Sequence, residues 1–193
     1  MEFVDYAEAI AVLREMGVSE VRRDNGCVSL ELPDDDEAIH LDLVAPGVPS
    51  DGRAHARTIG VGRDQIPDVV EHVLHKLHLQ QVLIVPVAPW RNVFDAVAFS
   101  LASNEEWQEI DATVSVELNT RDPLLCTPAD FNTLKALLLA VLENGSEPVH
   151  TLVLTTTTTP VMMELDARGM LHFSVGNQVL ADEIEQMFGS PTG

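Results

Sequence analysis

The sequence predicts an α+β fold, in which helices pack on a mixed or antiparallel sheet. Apolar residues recur at helical spacing in several segments, a hairpin signal lies near the start of the chain, and strand-like segments follow one another near its end. The chain has 193 residues, of which 46% are apolar, enough to bury a substantial core. We therefore expect a single compact α+β domain over residues 1–193.

The first predicted elements are a helix and a hairpin. Apolar residues are spaced as on one side of a helix over Phe3–Met16, and Gly17 is placed to end that helix. Asn25-Gly26 suits the positive φ angles of a tight turn between Glu20–Arg23 and Cys27–Leu32. The sequence therefore predicts a helix followed by two paired strands.

The later elements are predicted from the same two periodicities. An apolar stripe predicts a helix over Ile66–Leu79, and the apolar run Gln81–Val87 predicts a fully buried strand. Pro89 opens one further helix, and Thr127-Pro128-Ala129-Asp130 opens another that ends near Asn144-Gly145. The remaining predictions are strands at Ile39–Val44, Arg57–Val61, Ala112–Leu118, His150–Thr159, Val161–Leu165 and Met170–Val175, and a last helix at Gln178–Phe188.

Two segments of the chain resemble each other. Ile59–Leu74 aligns without gaps against Phe173–Phe188, and four of the sixteen aligned pairs are identical. An internal duplication with related halves at 1–87 and 112–188 would explain the similarity. The alternative is that strand–glycine–helix junctions resemble each other anyway, and the sequence leaves both open.

The charge balance limits the possible partners. Thirty-one acidic residues against eleven basic ones give a net charge of −20, which repels phosphate backbones and anionic lipid head groups. We therefore predict no nucleic-acid or membrane partner and no cofactor, and favour a protein partner with a basic or amphipathic segment. A homodimer is a further alternative.

The location is predicted from three features. Residues 1–5 lack the basic and apolar regions of a signal peptide, and no apolar run approaches the roughly 18–20 residues that span a bilayer. Cys27 and Cys126 show no CxxC spacing, so free thiols in a reducing cytoplasm are expected, with one long-range disulfide as the alternative. Cys126 precedes a helix start, but an inert thiol is favoured over a nucleophile.

One helix carries residues that are able to bind a metal. Glu71, His75 and His78 fall at i, i+4 and i+7 and therefore on one stripe. The stripe lies opposite the apolar face, where a solvated helix places its polar residues anyway, and no HExxH motif is present. We predict no metal site, and keep a metal-assisted hydrolase built on these residues as the alternative function.

Two features are candidates for a binding surface. Thr155, Thr157 and Thr159 alternate in a predicted strand that could lie at a sheet edge and accept a strand from a partner. Trp107 lies among acidic residues and would suit as an anchor for a basic ligand, or else covers the edge of the core. The acidic run Asp34–Glu37 is interpreted as a solvated loop.

The first part of the chain resembles a known family. The order helix, hairpin, strand, helix over residues 3–79, carried by Asp5–Met16, Glu20–Leu32 and Ile66–Leu79, is similar to that of the class I type III secretion chaperones. The resemblance implies a bacterial protein that binds a client segment without chemistry, and no residue role carries over. From the net charge of −20, the threonine-rich strand and the lack of a convergent catalytic set, we predict a non-enzymatic binding or adaptor protein that recognises a basic or amphipathic protein segment, with the metal-assisted hydrolase and a small-molecule sensor domain as alternatives.

Overall fold

The structure is a computed structural model that describes residues 1–32, 43–105, 107–108 and 120–188. Its main feature is a sheet of seven strands in which every neighbouring pair is antiparallel. The strands are β1 (Glu2–Phe3), β2 (Ser19–Arg22), β3 (Val28–Glu31), β4 (Leu43–Ala45), β5 (Val48–Pro49), β6 (His55–Ile59), β7 (Val82–Pro86), β8 (Leu124–Cys126), β9 (Leu152–Thr155), β10 (Val161–Asp166) and β11 (Met170–Val175).

Five helices lie within the described ranges: α1 (Tyr6–Glu15), α2 (Ile66–Lys76), α3 (Trp90–Leu101), α4 (Phe131–Asn144) and α5 (Gln178–Phe188). The order of strands in the large sheet is β1-β8-β7-β9-β10-β11-β6, while β2–β3 and β4–β5 form separate hairpins. The predicted α+β class is confirmed, with an antiparallel sheet. Within the described ranges, every helix is too short or too polar to cross a bilayer.

One face of the sheet carries most of the core. Alternate residues of the strands, among them Ile84, Leu154, Met163 and Phe173, point to this face and pack with the apolar sides of α2, α3, α4 and α5. The period of two along each strand places the intervening residues on the opposite face. The helical layer therefore covers this side of the sheet.

The opposite face is covered only in part by the described elements. α1 and the β2–β3 hairpin pack on β7, β9 and the start of β10 through a second apolar cluster that includes Leu83, Val153 and Met162. Over β11 and β6, the outward residues Ala56 and Thr58 are exposed and His172 is half-buried. This part of the face is polar and open.

Most predicted elements are confirmed, with shifts at the boundaries. The predicted helix over Gln178–Phe188 has the observed bounds, and β7 is buried along its whole length. The first helix begins at Tyr6 rather than at Phe3, because the Asp5 side chain accepts a hydrogen bond from the Glu8 amide and caps it. The predicted strand at 112–118 and most of that at 39–44 lie outside the described residues.

The predicted strand over His150–Thr159 is wrong in length and in position. β9 ends at Thr155, and the next five residues form the bend that leads into β10. β9 pairs with β7 on one side and β10 on the other, so it is central and has no free edge. The Thr155 hydroxyl donates to the Val161 carbonyl at 2.9 Å. Strand addition by a partner at the threonine run is therefore excluded.

The two similar segments occupy neighbouring positions in the fold. β6 leads into α2 and β11 leads into α5, the two strands are antiparallel neighbours, and both helices pack in the same cluster. By contrast, α1 and α4 lie on opposite faces of the sheet. The sequence similarity therefore coincides with two neighbouring strand–helix units, and the internal duplication stays a prediction.

His78, at the end of α2, has a positive φ angle. We expect this conformation to cost folding free energy in a residue other than glycine. His78 follows the last turn with a φ of 53°, and the Leu79 amide donates to the Leu74 carbonyl at 3.0 Å. α1 ends in the same way with Gly17 at a φ of 92°. Because glycine adopts this conformation without steric cost, we expect His78→Gly to raise the free energy of unfolding by about 0.5–1 kcal/mol.

Urea denaturation will measure this change. The matched control is His75→Gly, which removes the same side chain from inside the helix and is expected to lower stability by about 1 kcal/mol. A loss of stability in both variants would contradict the proposed backbone cost at His78.

Candidate functional site

The open part of the sheet forms a groove of about 490 Å³, which we call the sheet groove. Its floor consists of outward residues of β10, β11 and β6, and its wall is the end of the β2–β3 hairpin. Two cross-strand rows follow from the strand register: Met162, Ser174 and Ala56 in one, and Glu164, His172 and Thr58 in the other. The wall residues are Leu30, Glu31 and Leu32.

The sequence positions these side chains through alternation and one tight turn. In β10 the residues Val161, Met163 and Leu165 enter the helical core, so Glu164 must point to the open face. β10 and β11 are joined by a short turn in which Gly169 has a φ of 97°, a conformation that favours glycine. The turn fixes the register that brings Glu164 opposite His172.

Glu164 anchors the wall of the groove to its floor. Its carboxylate accepts hydrogen bonds from Arg23 Nη2 at 2.8 and 3.0 Å and from the Ser29 hydroxyl at 2.8 Å. Both donors belong to the β2–β3 hairpin region, so the contact holds the hairpin against β10. The charge of Glu164 is therefore largely compensated within the molecule.

His172 contacts a hydroxyl on the neighbouring strand. Its Nδ1 lies 2.9 Å from the Thr58 Oγ1. A nucleophilic hydroxyl would need this imidazole to be oriented in turn by a carboxylate. Glu164 directs its oxygens to Arg23 and Ser29, and within the described residues it forms no ion pair with His172. The pair therefore lacks the third member of a hydrolytic triad.

The rim of the groove carries further charges. Arg57 is hydrogen-bonded to Asp182 and paired with Glu185 on α5, and the bond to Asp182 raises the pKa of this guanidinium above its ordinary value. Glu31 is exposed and makes no hydrogen bond or ion pair to the described residues. Glu31 is therefore the carboxylate of the groove that is available to a ligand.

Glu71, His75 and His78, the residues of the alternative metal-dependent function, do not converge on one point. Glu71 accepts a hydrogen bond from Lys135 Nζ at 2.9 Å and lies 3.7 Å from His75 Nε2. α2 ends at Lys76, so His78 follows the helix instead of continuing the stripe. In the described ranges, no three His, Cys, Asp or Glu side chains are grouped as a metal ion would require.

Trp107 is not an exposed anchor. Its side chain is only 2% exposed, its Nε1 donates to the Thr133 carbonyl at 3.2 Å, and its ring packs against Phe94. The buried ring covers the edge of the core, which is the alternative that the sequence left open. The acidic neighbours of Trp107 in the sequence suggested an exposed position, but its burial depends on tertiary contacts with Phe94 of α3 and with the Thr133 carbonyl of α4, which the neighbouring residues do not indicate.

The cysteines are buried free thiols, as predicted. Cys126 belongs to the cluster on the helical face and Cys27 to the cluster on the other. Burial, together with the nearby Asp130 carboxylate, raises the pKa of the Cys126 thiol to about 12. A thiol that stays protonated at neutral pH is a poor nucleophile, which is in line with the preference for an inert Cys126.

A second cavity, of about 500 Å³, lies at the end of the sheet near the threonine run. It is lined by the end of α2, the β4–β5 hairpin and the bend after β9, where Thr158 is exposed and Thr159 is buried. Of the predicted binding residues, Thr159 contributes to this cavity, whereas Thr155 is buried in the sheet and Thr157 lies half-buried in the bend.

Sequence reasoning missed the floor of the sheet groove. Glu164, His172 and Ser174 alternate with apolar residues in two strands that were predicted, which was the available signal. Thr58 is contributed by β6, more than a hundred positions away from His172 in the sequence. No family model, curated protein or solved structure gives a significant match to the chain, so the site is interpreted from its geometry alone.

Proposed function

We propose that this protein is a non-enzymatic binding protein whose sheet groove holds a basic, extended protein segment. The observation that carries the proposal is the open polar groove, in which the Glu31 carboxylate has no partner among the described residues, in a chain of net charge −20. A groove of this shape accommodates an extended chain, and its hydroxyl and imidazole groups offer hydrogen bonds to it.

The distribution of charges supports a basic ligand. Most basic side chains are already paired: Arg14 with Glu20, Arg23 with Glu164, Lys76 with Glu183 and Arg168 with Asp166, for example. The excess of carboxylates is therefore uncompensated over the surface, and the resulting potential attracts cations and repels nucleic acid and anionic lipid. The proposal accordingly includes neither nucleic acid nor membrane as a partner.

A location in the bacterial cytoplasm is part of the same proposal. Two buried, reduced cysteines fit a reducing compartment. The resemblance to the class I type III secretion chaperones, which bind client segments, is in line with a binding role and remains a prediction.

A peptide-binding experiment tests the proposal. The probe is a fluorescein-labelled peptide of alternating lysine and threonine, and its counterpart with glutamate in place of lysine is the control ligand. We expect the basic peptide to bind and the acidic one not to bind. Affinity is expected to fall as salt rises from about 0.05 to 0.5 M, because screening weakens the attraction between exposed charges.

Two variants locate the binding in the groove. Glu31→Lys is expected to weaken binding about five- to tenfold, since it replaces an attraction by a repulsion at the rim. Ala56→Trp fills the exposed floor without changing the charge and is expected to weaken binding at least as much. The matched control is Glu143→Lys, which makes the same charge change at an exposed position on α4. Equal effects of Glu31→Lys and Glu143→Lys, with none of Ala56→Trp, would contradict binding in the groove.

A small-molecule sensor is the second candidate, and the cavity at the end of the sheet favours it. Its lining combines apolar side chains, such as those of Leu43, Leu77 and Leu79, with polar groups: the hydroxyls of Thr127, Thr158 and Thr159, the amides of Gln80 and Gln81 and the His78 imidazole. Cavities of this size and composition accommodate drug-sized molecules. Thermal shifts measured against a library of uncharged metabolites, with Thr159→Val as the variant, test this candidate separately from peptide binding.

A further inference from the structure

His172 is a titratable group in the middle of the floor of the sheet groove. It lies on β11, the central one of the three strands that form the floor, with Glu164 of β10 on one side and Thr58 of β6 on the other. The side chain is half-buried and lines the groove. Histidine is the side chain that ordinarily changes its charge between pH 5 and 8. The charge of the floor is therefore expected to depend on pH in this interval.

Among the described residues, the carboxylates around His172 are already paired with arginines, with one exception. The exception is Glu31 in the wall of the groove, which is exposed. The pairs are Glu164 with Arg23, Asp166 with Arg168, and both Asp182 and Glu185 of α5 with Arg57. A positive charge on the imidazole therefore has no unpaired carboxylate beside it on the described part of the floor.

The contact with Thr58 is compatible with both protonation states of the ring. His172 Nδ1 lies 2.9 Å from the Thr58 Oγ1, and a hydroxyl group either donates to an unprotonated imidazole nitrogen or accepts from a protonated one. The protonated ring has two N–H donors and no acceptor, whereas the neutral ring has one of each. Protonation therefore adds a positive charge to the floor and removes a hydrogen-bond acceptor from it, without requiring the side chain to move.

We propose that protonation of His172 regulates binding in the sheet groove. The inference rests on the proposed function, in which the groove holds a basic, extended protein segment. With a neutral ring, the Glu31 carboxylate is the unpaired charge of the groove among the described residues, and it favours lysine and arginine side chains. A protonated ring offsets this charge and repels the same side chains. The groove therefore holds its ligand near pH 8 and binds it less tightly near pH 5.5.

Peptide binding at two pH values tests the proposal. The probe is the same peptide of alternating lysine and threonine, labelled with tetramethylrhodamine, whose charge and emission do not change over this pH range. At about 0.05 M salt, we expect the affinity to be about three- to fivefold lower at pH 5.5 than at pH 8. This change is smaller than that expected for Glu31→Lys, because protonation alters the charge of the groove by one unit instead of two.

Two variants assign the pH dependence to one imidazole. His172→Asn keeps a side chain that hydrogen-bonds but takes up no proton, so we expect its affinity for the peptide to be nearly the same at both pH values. The matched control is His75→Asn, which removes an imidazole that is 65% exposed on α2, on the helical face of the sheet. This variant is expected to retain the pH dependence of the wild type. Circular dichroism at both pH values confirms that each variant is folded.

Calorimetry of the wild type provides a second measurement that needs no variant. Binding and protonation are reciprocal, so a ligand that prefers the neutral ring releases protons when it binds. Near pH 6.5, a three- to fivefold change in affinity corresponds to the release of roughly 0.3 proton for each bound peptide. Titrations in two buffers of different ionisation enthalpy measure this release, which is expected to be absent in His172→Asn.

The outcomes distinguish this proposal from the proposed function. Binding at pH 8 that is equally tight at pH 5.5 and releases no protons would overturn the role of His172 and leave binding in the groove intact. The same conclusion would follow if His172→Asn retained the full pH dependence, or if His75→Asn lost it to the same extent. A basic peptide that binds at neither pH would overturn both proposals.

Discussion

Arg121→Ala is expected to lower the free energy of unfolding by about 3–4 kcal/mol. The guanidinium donates to the carbonyls of Pro86 and Val28, at 3.1 and 2.7 Å, and to the Tyr6 hydroxyl at 2.8 Å. It also lies over the Tyr6 ring, with its central carbon 4.7 Å from the ring centre. One side chain therefore connects β7, β3 and α1.

The size of the effect follows from what the substitution leaves behind. Hydrogen bonds from a charged donor contribute about 1.5–3 kcal/mol each at most, and their sum is smaller because they share one side chain. The cation–π contact adds about 0.5–1 kcal/mol. Alanine leaves the carbonyls of the buried Pro86 and the half-buried Val28 without this donor, and it weakens the attachment of the hairpin that forms the wall of the sheet groove.

Two variants separate the geometry of Arg121 from its charge. Arg121→Lys keeps the charge, but an ammonium group cannot reach three acceptors in one plane, so we expect it to recover less than half of the loss. Arg22→Ala removes an exposed arginine without a side-chain partner among the described residues, and it should change stability by less than about 0.5 kcal/mol. Urea denaturation measures all three. A loss for Arg121→Ala no larger than that for Arg22→Ala would contradict the proposed role.

Arg121 also illustrates which parts of the structure the sequence predicts. The apolar stripes of α2 and α5 and the apolar run of β7 are local patterns, and these elements were predicted with nearly the observed bounds. The contacts of Arg121 join three elements, and nothing in the residues beside it indicates them. A three-residue strand such as β8 is likewise too short for a periodic signal.

The sheet groove was also missed because it depends on contacts between segments that are far apart in the sequence. The rows of the sheet groove arise when β10, β11 and β6 pair in one register, and β6 lies more than a hundred residues before the other two. At the threonine run the sequence predicted a site that the structure does not contain. A polar strand indicates an exposed position, but whether a strand is central or at an edge depends on its neighbours, and β9 has one on each side.

Ionisation of the Tyr6 hydroxyl is expected to lower the free energy of unfolding by about 1–2 kcal/mol between pH 10 and pH 12, a figure reduced for the partial solvent exposure of the phenol. Burial, followed by the hydrogen bond to Glu20, raises the pKa of Tyr6 to about 12 from an ordinary value of 10.0. The phenol donates to Glu20 Oε1 at 2.6 Å, and this bond is the main reason that the pKa of Glu20 is lowered. The protonated phenol therefore belongs to the folded state.

The direction of the pH dependence follows from the two pKa values. Below pH 10 the phenol is protonated in both the folded and the unfolded chain, and its contribution to stability is complete. Between pH 10 and 12 the unfolded chain releases the proton and the folded chain retains it, so unfolding becomes more favourable as the pH rises. The advantage of the wild type over Tyr6→Phe is therefore expected to decrease by about 1–2 kcal/mol over this interval.

Tyr6 is the single tyrosine of the chain, which allows a direct measurement. Absorbance at 295 nm follows the ionisation of this one phenol in the folded protein and, with added urea, in the unfolded chain. We expect the folded protein to ionise near pH 12, or together with its alkaline unfolding, and the unfolded chain near pH 10. Circular dichroism on the same samples separates ionisation from unfolding. A folded protein whose phenol ionises near pH 10 would show that the hydroxyl is not held between Glu20 and Arg121 in the way described.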